Sequence, residues 1–381
     1  MADLIEKKNR SRADFSVTVL TLILSLFGVA MVLSASYYQS LSKFGNFYHY
    51  AKDDVMWMVI GFAVFIFCSL LNYRVYRVFA VPIMAVGLVL LLLIFTPMGI
   101  TLNNATRWLD FKFFTVMPGE IAKTCIIFFI AWYYSVDPER AKKLKGNLPV
   151  LAVAGLCFFL IYRQPNLSTA GTVLLIAVGM MFLAGFPIRY IIMLAIAGVI
   201  GFAVIITLPS GRYMLQRVLS FTDPFADPLG DGYQVVQGLL ALGSGGFLGL
   251  GPAQSIQKTL YLPEPQNDFI IAIIGEELGF VGVVAMLAVF LALIYRCVKI
   301  AVACDDYFGM LLAGGISLHL ALQVILNVAV VSASFFPTGV TLPFVSLGGN
   351  ATVLFLAEMG IIVNISKHGT ADIEDPESEN S

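Results

Sequence analysis

Charge is what this sequence has least of. Only 12% of its 381 residues are Asp, Glu, Lys or Arg, about half the share of an average soluble protein. A net charge of −1 gives no basic field that could recruit nucleic acid. Cysteine is sparse and unpatterned: there are five residues, an odd number, with no C-x-x-C. Neither a disulfide framework nor a zinc site is expected from that. The Walker A, H-E-x-x-H and G-x-S-x-G signatures are missing as well, which removes three large enzyme classes. What fills the chain instead is apolar: 59% hydrophobic residues and a mean hydropathy of +0.87. A soluble globular enzyme and a disordered chain are both excluded, and the reading is a polytopic helical membrane protein.

Ten apolar runs can be marked, at 15–35, 55–72, 77–96, 118–135, 148–162, 170–186, 188–208, 268–298, 307–332 and 346–366. Each is near the ~20 residues that cross a bilayer as a helix. The first is too long for a signal-peptide core and reads as a span that stays attached. The fold class expected is all-α, with ten transmembrane helices. An even number of spans puts both termini on one side. Lys7, Lys8, Arg10, Arg12 and the run ERAKKLK (residues 139–145) place that side in the cytoplasm, because basic loops stay inside. Residues 1–14 are then a cytoplasmic lead-in, 15–366 the membrane domain and 367–381 an acidic cytoplasmic tail.

One connection is unlike the rest. Residues 209–267, between the seventh and eighth spans, form a long extracellular loop. Loops beyond about 12–15 residues are functional or disordered. This one keeps aromatic and apolar residues throughout, which favours order. Its Gly-rich stretch GSGGFLGLG (243–251) lacks the G-K-[ST] ending of a phosphate loop, so tight turns and a re-entrant segment explain it better.

The few charges inside apolar runs each need a reason, since one costs about 2.5–3.5 kcal/mol on insertion scales. Glu120 and Lys123, in MPGEIAK, are three residues apart at the start of the fourth span. They can pair on one helix face, either snorkelling outward or lining a cavity for an anionic, hydroxyl-rich substrate. Glu276 and Glu277 point about 100° apart on the eighth span, so one of them could approach Lys123 or an arginine. His319, Gln323 and Asn327 form a polar stripe at four-residue spacing, and with Glu358 read as hydrogen-bonding glue between helices. Asp268 ends the long loop and begins an apolar helix. It reads either as a helix N-cap or as a general base at the membrane's outer edge.

These residues fall within a recognisable series: NNATRWLDF, MPGEIAK, RQPNLSTAGT, RVLSFTDPFADPLGDGYQ, GSGGFLGLG, YLPEPQNDFIIAIIGEELGF and PTGVTLPFVSLGGN, in that order. The series resembles the SEDS family of FtsW, RodA and SpoVE proteins, and the long loop is closer to FtsW and SpoVE. Asn166 departs from it, standing where the family usually has Asp.

The resemblance implies a peptidoglycan glycosyltransferase that polymerises lipid II at the outer membrane face. The 4-hydroxyl of an acceptor GlcNAc attacks C1 of a donor MurNAc, with inversion, and undecaprenyl pyrophosphate leaves. It implies that Asp268 and Trp108 are essential and that Glu120 and Lys123 are important. It also implies a single-span class B penicillin-binding protein as partner. The chemistry fits: an inverting transfer needs one base, Asp268, and cations such as Lys123, Arg107 and Arg217 for the leaving diphosphate. Trp108 could stack on a sugar or anchor at the interface. A divalent cation is left open by the sequence. A lipid II flippase is the alternative function, and it would need polar groups lining a path from both leaflets.

Overall fold

The computed structural model describes residues 14–102, 105–112, 114–207, 215, 221–230 and 232–368. The first thirteen residues, the tail after His368 and Arg217 lie outside the described residues. A helix overlaps each of the ten apolar runs. In chain order, α1 (Phe15–Phe44), α2 (His49–Leu70) and α3 (Arg74–Leu93) come first. After a small sheet come α4 (Pro118–Val136), the single turn α5 (Glu139–Lys142), α6 (Leu144–Tyr162), α7 (Leu167–Leu183) and α8 (Ile188–Thr207). The long loop contains α9 (Tyr233–Gly245), and α10 (Ile270–Val302), α11 (Tyr307–Val331) and α12 (Gly349–His368) complete the order. Seven of these, α1, α2, α3, α6, α10, α11 and α12, are long and apolar enough to cross a membrane.

The all-α expectation needs one correction. Between α3 and α4 the chain forms a three-stranded antiparallel sheet of β1 (Gly99–Leu102), β2 (Ala105–Asp110) and β3 (Thr115–Val116). Ile100 lies opposite Trp108, and Leu109 opposite Val116. Leu109 and Ala105 are buried, and the Thr101 and Thr106 hydroxyls pair at 2.7 Å. The β-branched and aromatic residues of this short stretch suit strands, and a stretch holding Arg107 and Asp110 is too polar to span.

The bundle has an inside and a lipid-facing outside. α11 and α12 are mostly buried, whereas α8 exposes Ile192, Met193, Ile196, Val199 and Ile200. Irregular backbone at membrane depth is tolerated only within protein, and residues 332–348 follow that rule. Val340, Leu342, Phe344 and Val345 are buried. Gly28 lets α1 lie against this segment: a Cβ there would stand 2.2 Å from the Phe344 carbonyl oxygen.

α10 is broken at Gly279, whose φ of 68° is open to glycine far more than to other residues. The break frees backbone groups, and the Gly-rich stretch takes them up. Leu250 and Gly251 N–H donate to the Glu276 and Glu277 carbonyls at 2.9 and 3.0 Å, while Phe280 and Val281 N–H donate to the Gly246 and Phe247 carbonyls at 3.0 and 3.2 Å. That is why the long loop keeps its apolar residues: part of it packs along a broken helix.

At the end of the bundle away from the start of α4, charges pair at and just below the surface. Arg296 meets Asp14 at 2.5 Å, Lys142 meets Glu139 at 2.6 Å and Arg140 meets Asp137 at 3.3 Å. The Glu139 hydrogen bond holds the Lys142 ammonium above its usual pKa.

Candidate functional site

The site is built around the start of α4. Pro118 occupies the first helical turn, where its missing N–H costs nothing, and Glu120 sits where the helix dipole favours an anion. Three residues on, Lys123 is 1% exposed. Its Nζ lies 2.7 Å from Glu120 Oε2 and donates to Gln323 Oε1 on α11 at 3.1 Å. The expected pair therefore forms, and it points into the bundle rather than outward.

Gln323 also donates to the Thr341 carbonyl at 3.1 Å. One helical turn along α11, about 6 Å, Asn327 donates to the Val340 carbonyl at 2.6 Å and to the Asp268 carbonyl at 3.0 Å. The α11 stripe thus supports Lys123, the irregular 332–348 segment and the Asp268 backbone together. Only part of it is glue between helices.

Asp268 stands one residue before the N-cap position of α10, which Phe269 holds without a side-chain cap bond. A Cβ on Gly339 would lie 3.9 Å from Asp268 Oδ2, which puts the carboxylate against the 332–348 segment. The residues before it are tied down: Leu347 N–H donates to the Gln266 carbonyl at 2.9 Å. Gln266 donates to Gln39 at 2.5 Å, and Glu264 meets Lys43 at 3.3 Å.

Trp108 and Arg107 lie on β2, both partly buried. Pairing of Leu109 with Val116 holds β2 at the entrance to α4. Asn350, in the first turn of α12, donates to the Thr115 carbonyl at 3.1 Å. The Arg107 guanidinium donates to the Pro165 carbonyl. Next to it, Asn166 caps α7 by accepting from Thr169 N–H at 3.3 Å, a role an amide fills as well as a carboxylate. The starts of α4, α10 and α12 and the sheet therefore gather at one end of the bundle. Among the described residues, no group of three or more His, Cys, Asp or Glu side chains could hold a metal ion.

A profile of the cell cycle protein family of FtsW, RodA and SpoVE matches residues 15–371. The chain belongs to that family. It is 35% identical to a probable peptidoglycan glycosyltransferase FtsW of Geobacter sp. (strain M18), over 93% of this chain and 96% of the relative. It is also 35% identical to stage V sporulation protein E of Bacillus subtilis (strain 168), over 94% and 98%. Among solved structures, it resembles a chain of a peptidoglycan synthase complex studied for its coordination of polymerization and crosslinking. There the TM-score is 0.77 and the identity 26%, over 93% of this chain and 97% of that one. The rod shape determining protein RodA of Thermus thermophilus shares the fold, with a TM-score of 0.67 and 23% identity over 94% and 98%.

In this FtsW/RodA/SpoVE-family chain, sequence reasoning misplaced one group. Neither Glu276 nor Glu277 bonds to Lys123. Glu277 pairs with Lys258 at 2.6 Å and accepts from Ser34 at 2.6 Å and from Ala253 N–H at 3.0 Å. Glu276 accepts from the Ser255 hydroxyl, from Ile256 N–H at 2.9 Å and from Gln257 N–H at 3.2 Å. The two carboxylates clasp residues 253–258 onto α10. Lys258, in the long loop, is 3% exposed. A usable signal was present: a lysine in the long loop, preceding two adjacent glutamates inside an apolar run.

Proposed function

We propose that the chain is a peptidoglycan glycosyltransferase of the bacterial cell membrane, polymerising lipid II at the outer face by inverting transfer. Ten spans, cytoplasmic termini and an extracellular 209–267 loop belong to this reading. The end carrying ERAKKLK is the cytoplasmic one, and the end carrying Asp268 faces out.

The observation that carries the proposal is the polar wall of α11. Gln323 holds Lys123 and Asn327 holds the Asp268 backbone, one turn apart, within a family whose named relatives include a glycosyltransferase. Asp268 accepts the proton of the acceptor 4-hydroxyl as its oxygen attacks C1. Lys123, steadied by Glu120, faces the diphosphate as the C1–O bond breaks, where a placed cation stabilises developing charge. Arg107 and Arg217 supply further cationic contacts. Trp108 offers an aromatic face to a sugar from the sheet above. The associated transpeptidase, a class B penicillin-binding protein, is the proposed partner, a reading supported by the likeness to a synthase complex.

The test is glycan-chain formation on gels from purified protein with its partner and lipid II. Asp268→Ala is expected to lose about 10²–10⁴-fold in rate, the usual worth of a general base, while still binding lipid II. Unchanged polymerisation would sink the assignment.

A further inference from the structure

Two ionisable side chains deep in the bundle have no part in that reaction. Glu358 on α12 and His319 on α11 are 0% and 1% exposed. His319 Nδ1 lies 3.1 Å from each carboxylate oxygen of Glu358. Thr124 on α4 donates its hydroxyl to Glu358 Oε1 at 2.8 Å. Phe355 stacks on the imidazole with ring centres 4.6 Å apart. One carboxylate therefore joins three helices.

Stability is a poor reason for such a group. Desolvating a carboxylate and an imidazole inside a membrane bundle is costly, and a well-packed apolar pair is often as stable or more so. Position is a better reason. Thr124 follows Lys123 in the chain. His319 precedes Gln323 by one helical turn. The two partners of Glu358 are thus neighbours of the two residues that meet at the Lys123 ammonium, one on each helix. How Lys123 Nζ sits against Gln323 Oε1 depends on the rotation and axial setting of α4 against α11, and Glu358 bonds to both.

We infer that the Thr124–Glu358–His319 cluster is a positioning device for Lys123. It sets α4 against α11 so that the ammonium stays between Glu120 and Gln323 and faces the substrate diphosphate. Thr124, His319 and Glu358 touch no substrate; they act through Lys123. The inference rests on the reading that Lys123 meets the diphosphate, and the two can fail separately.

The experiment measures kcat and KM for lipid II polymerisation, with melting temperature alongside, in the complex with the transpeptidase. Lys123→Met tests the underlying reading and is expected to cripple kcat/KM. The apolar double variant Glu358→Leu/His319→Leu is expected to melt no lower than wild type. Its kcat/KM should fall at least about tenfold, since a displacement near 1 Å can cost ~10²-fold. Combining it with Lys123→Met should be little worse than Lys123→Met alone, because both changes remove one interaction. Glu358→Gln keeps an acceptor for Thr124 and should stay within about threefold of wild type, well short of that loss.

Normal kcat/KM in the leucine variant, while Lys123→Met is crippled, overturns the inference and spares the reading. Fully additive losses also overturn it. If the leucine variant does not fold, Thr124→Val removes one hydroxyl without changing shape. It should lose activity several-fold with the same non-additivity, and wild-type activity there overturns the inference as well.

Discussion

Among the described residues, two lysine–glutamate pairs have a buried lysine, and they are built differently. Lys258–Glu277 joins the long loop to α10, with side chains 3% and 2% exposed. Both Glu277 oxygens are engaged, by Lys258 and Ser34 on one side and Ala253 N–H on the other. Lys123–Glu120 is local, three residues apart on one helix, and Glu120 is 12% exposed. Its lysine is as deeply buried, yet the glutamate opens toward the end where Asp268 lies. A pair that fastens structure is closed over on every side. The pair proposed to meet a substrate leaves one member within reach of it.

Breaking the closed pair should have the largest effect on stability. Lys258→Met leaves a carboxylate stranded at 2% exposure, and losing one partner of a buried pair costs about 3–5 kcal/mol. Denaturation of the purified protein in detergent checks it. Lys123→Met should reverse the pattern: its loss of stability is smaller, because Glu120 reaches the bundle's end, while polymerisation on gels falls about a hundredfold, ~2.7 kcal/mol of barrier. A Lys258→Met variant that is fully stable, or a Lys123→Met variant that polymerises normally, would erase the distinction.

The third prediction sharpens it. Replacing both members by apolar residues removes the stranded charge. Lys258→Met/Glu277→Leu should recover stability except for about 1–3 kcal/mol from the unpaired Ala253 N–H and Ser34 hydroxyl. Lys123→Met/Glu120→Leu should recover stability more fully and leave polymerisation lost. The smallest effect is expected at the surface: Lys142 and Glu139 are each 62% exposed. Their double alanine variant should change neither melting temperature nor activity measurably, as for most exposed pairs.

Much of this was legible in the sequence because a bilayer makes rigid demands. Apolar runs of span length became helices, and MPGE became a helix start through Pro118 and Glu120. The Glu120–Lys123 pair followed from i,i+3 spacing alone. Long-range pairings were not legible. Residue spacing carries no sign that Gln323 meets Lys123 or that Glu277 meets Lys258, since those contacts depend on which helices lie side by side. The sheet at 99–116 escaped because short strands between spans look like any polar connection. The break in α10 was also hidden: Gly279 stands in an apolar run like several other glycines, and only the stretch lying beside it, 246–251, reveals why it is there.

The clasp of residues 253–258 onto Glu276 and Glu277 has a consequence for how the chain is made. The ribosome releases the donors before the acceptors: Lys258 precedes Glu277 by 19 residues, and Ser255 precedes Glu276 by 21. Ser34, on α1, is older still. When α10 reaches the bilayer with its two carboxylates, the groups that bond to them have already emerged. The partners come largely from the stretch just before α10, so this helix need not wait for the later ones before it enters the membrane.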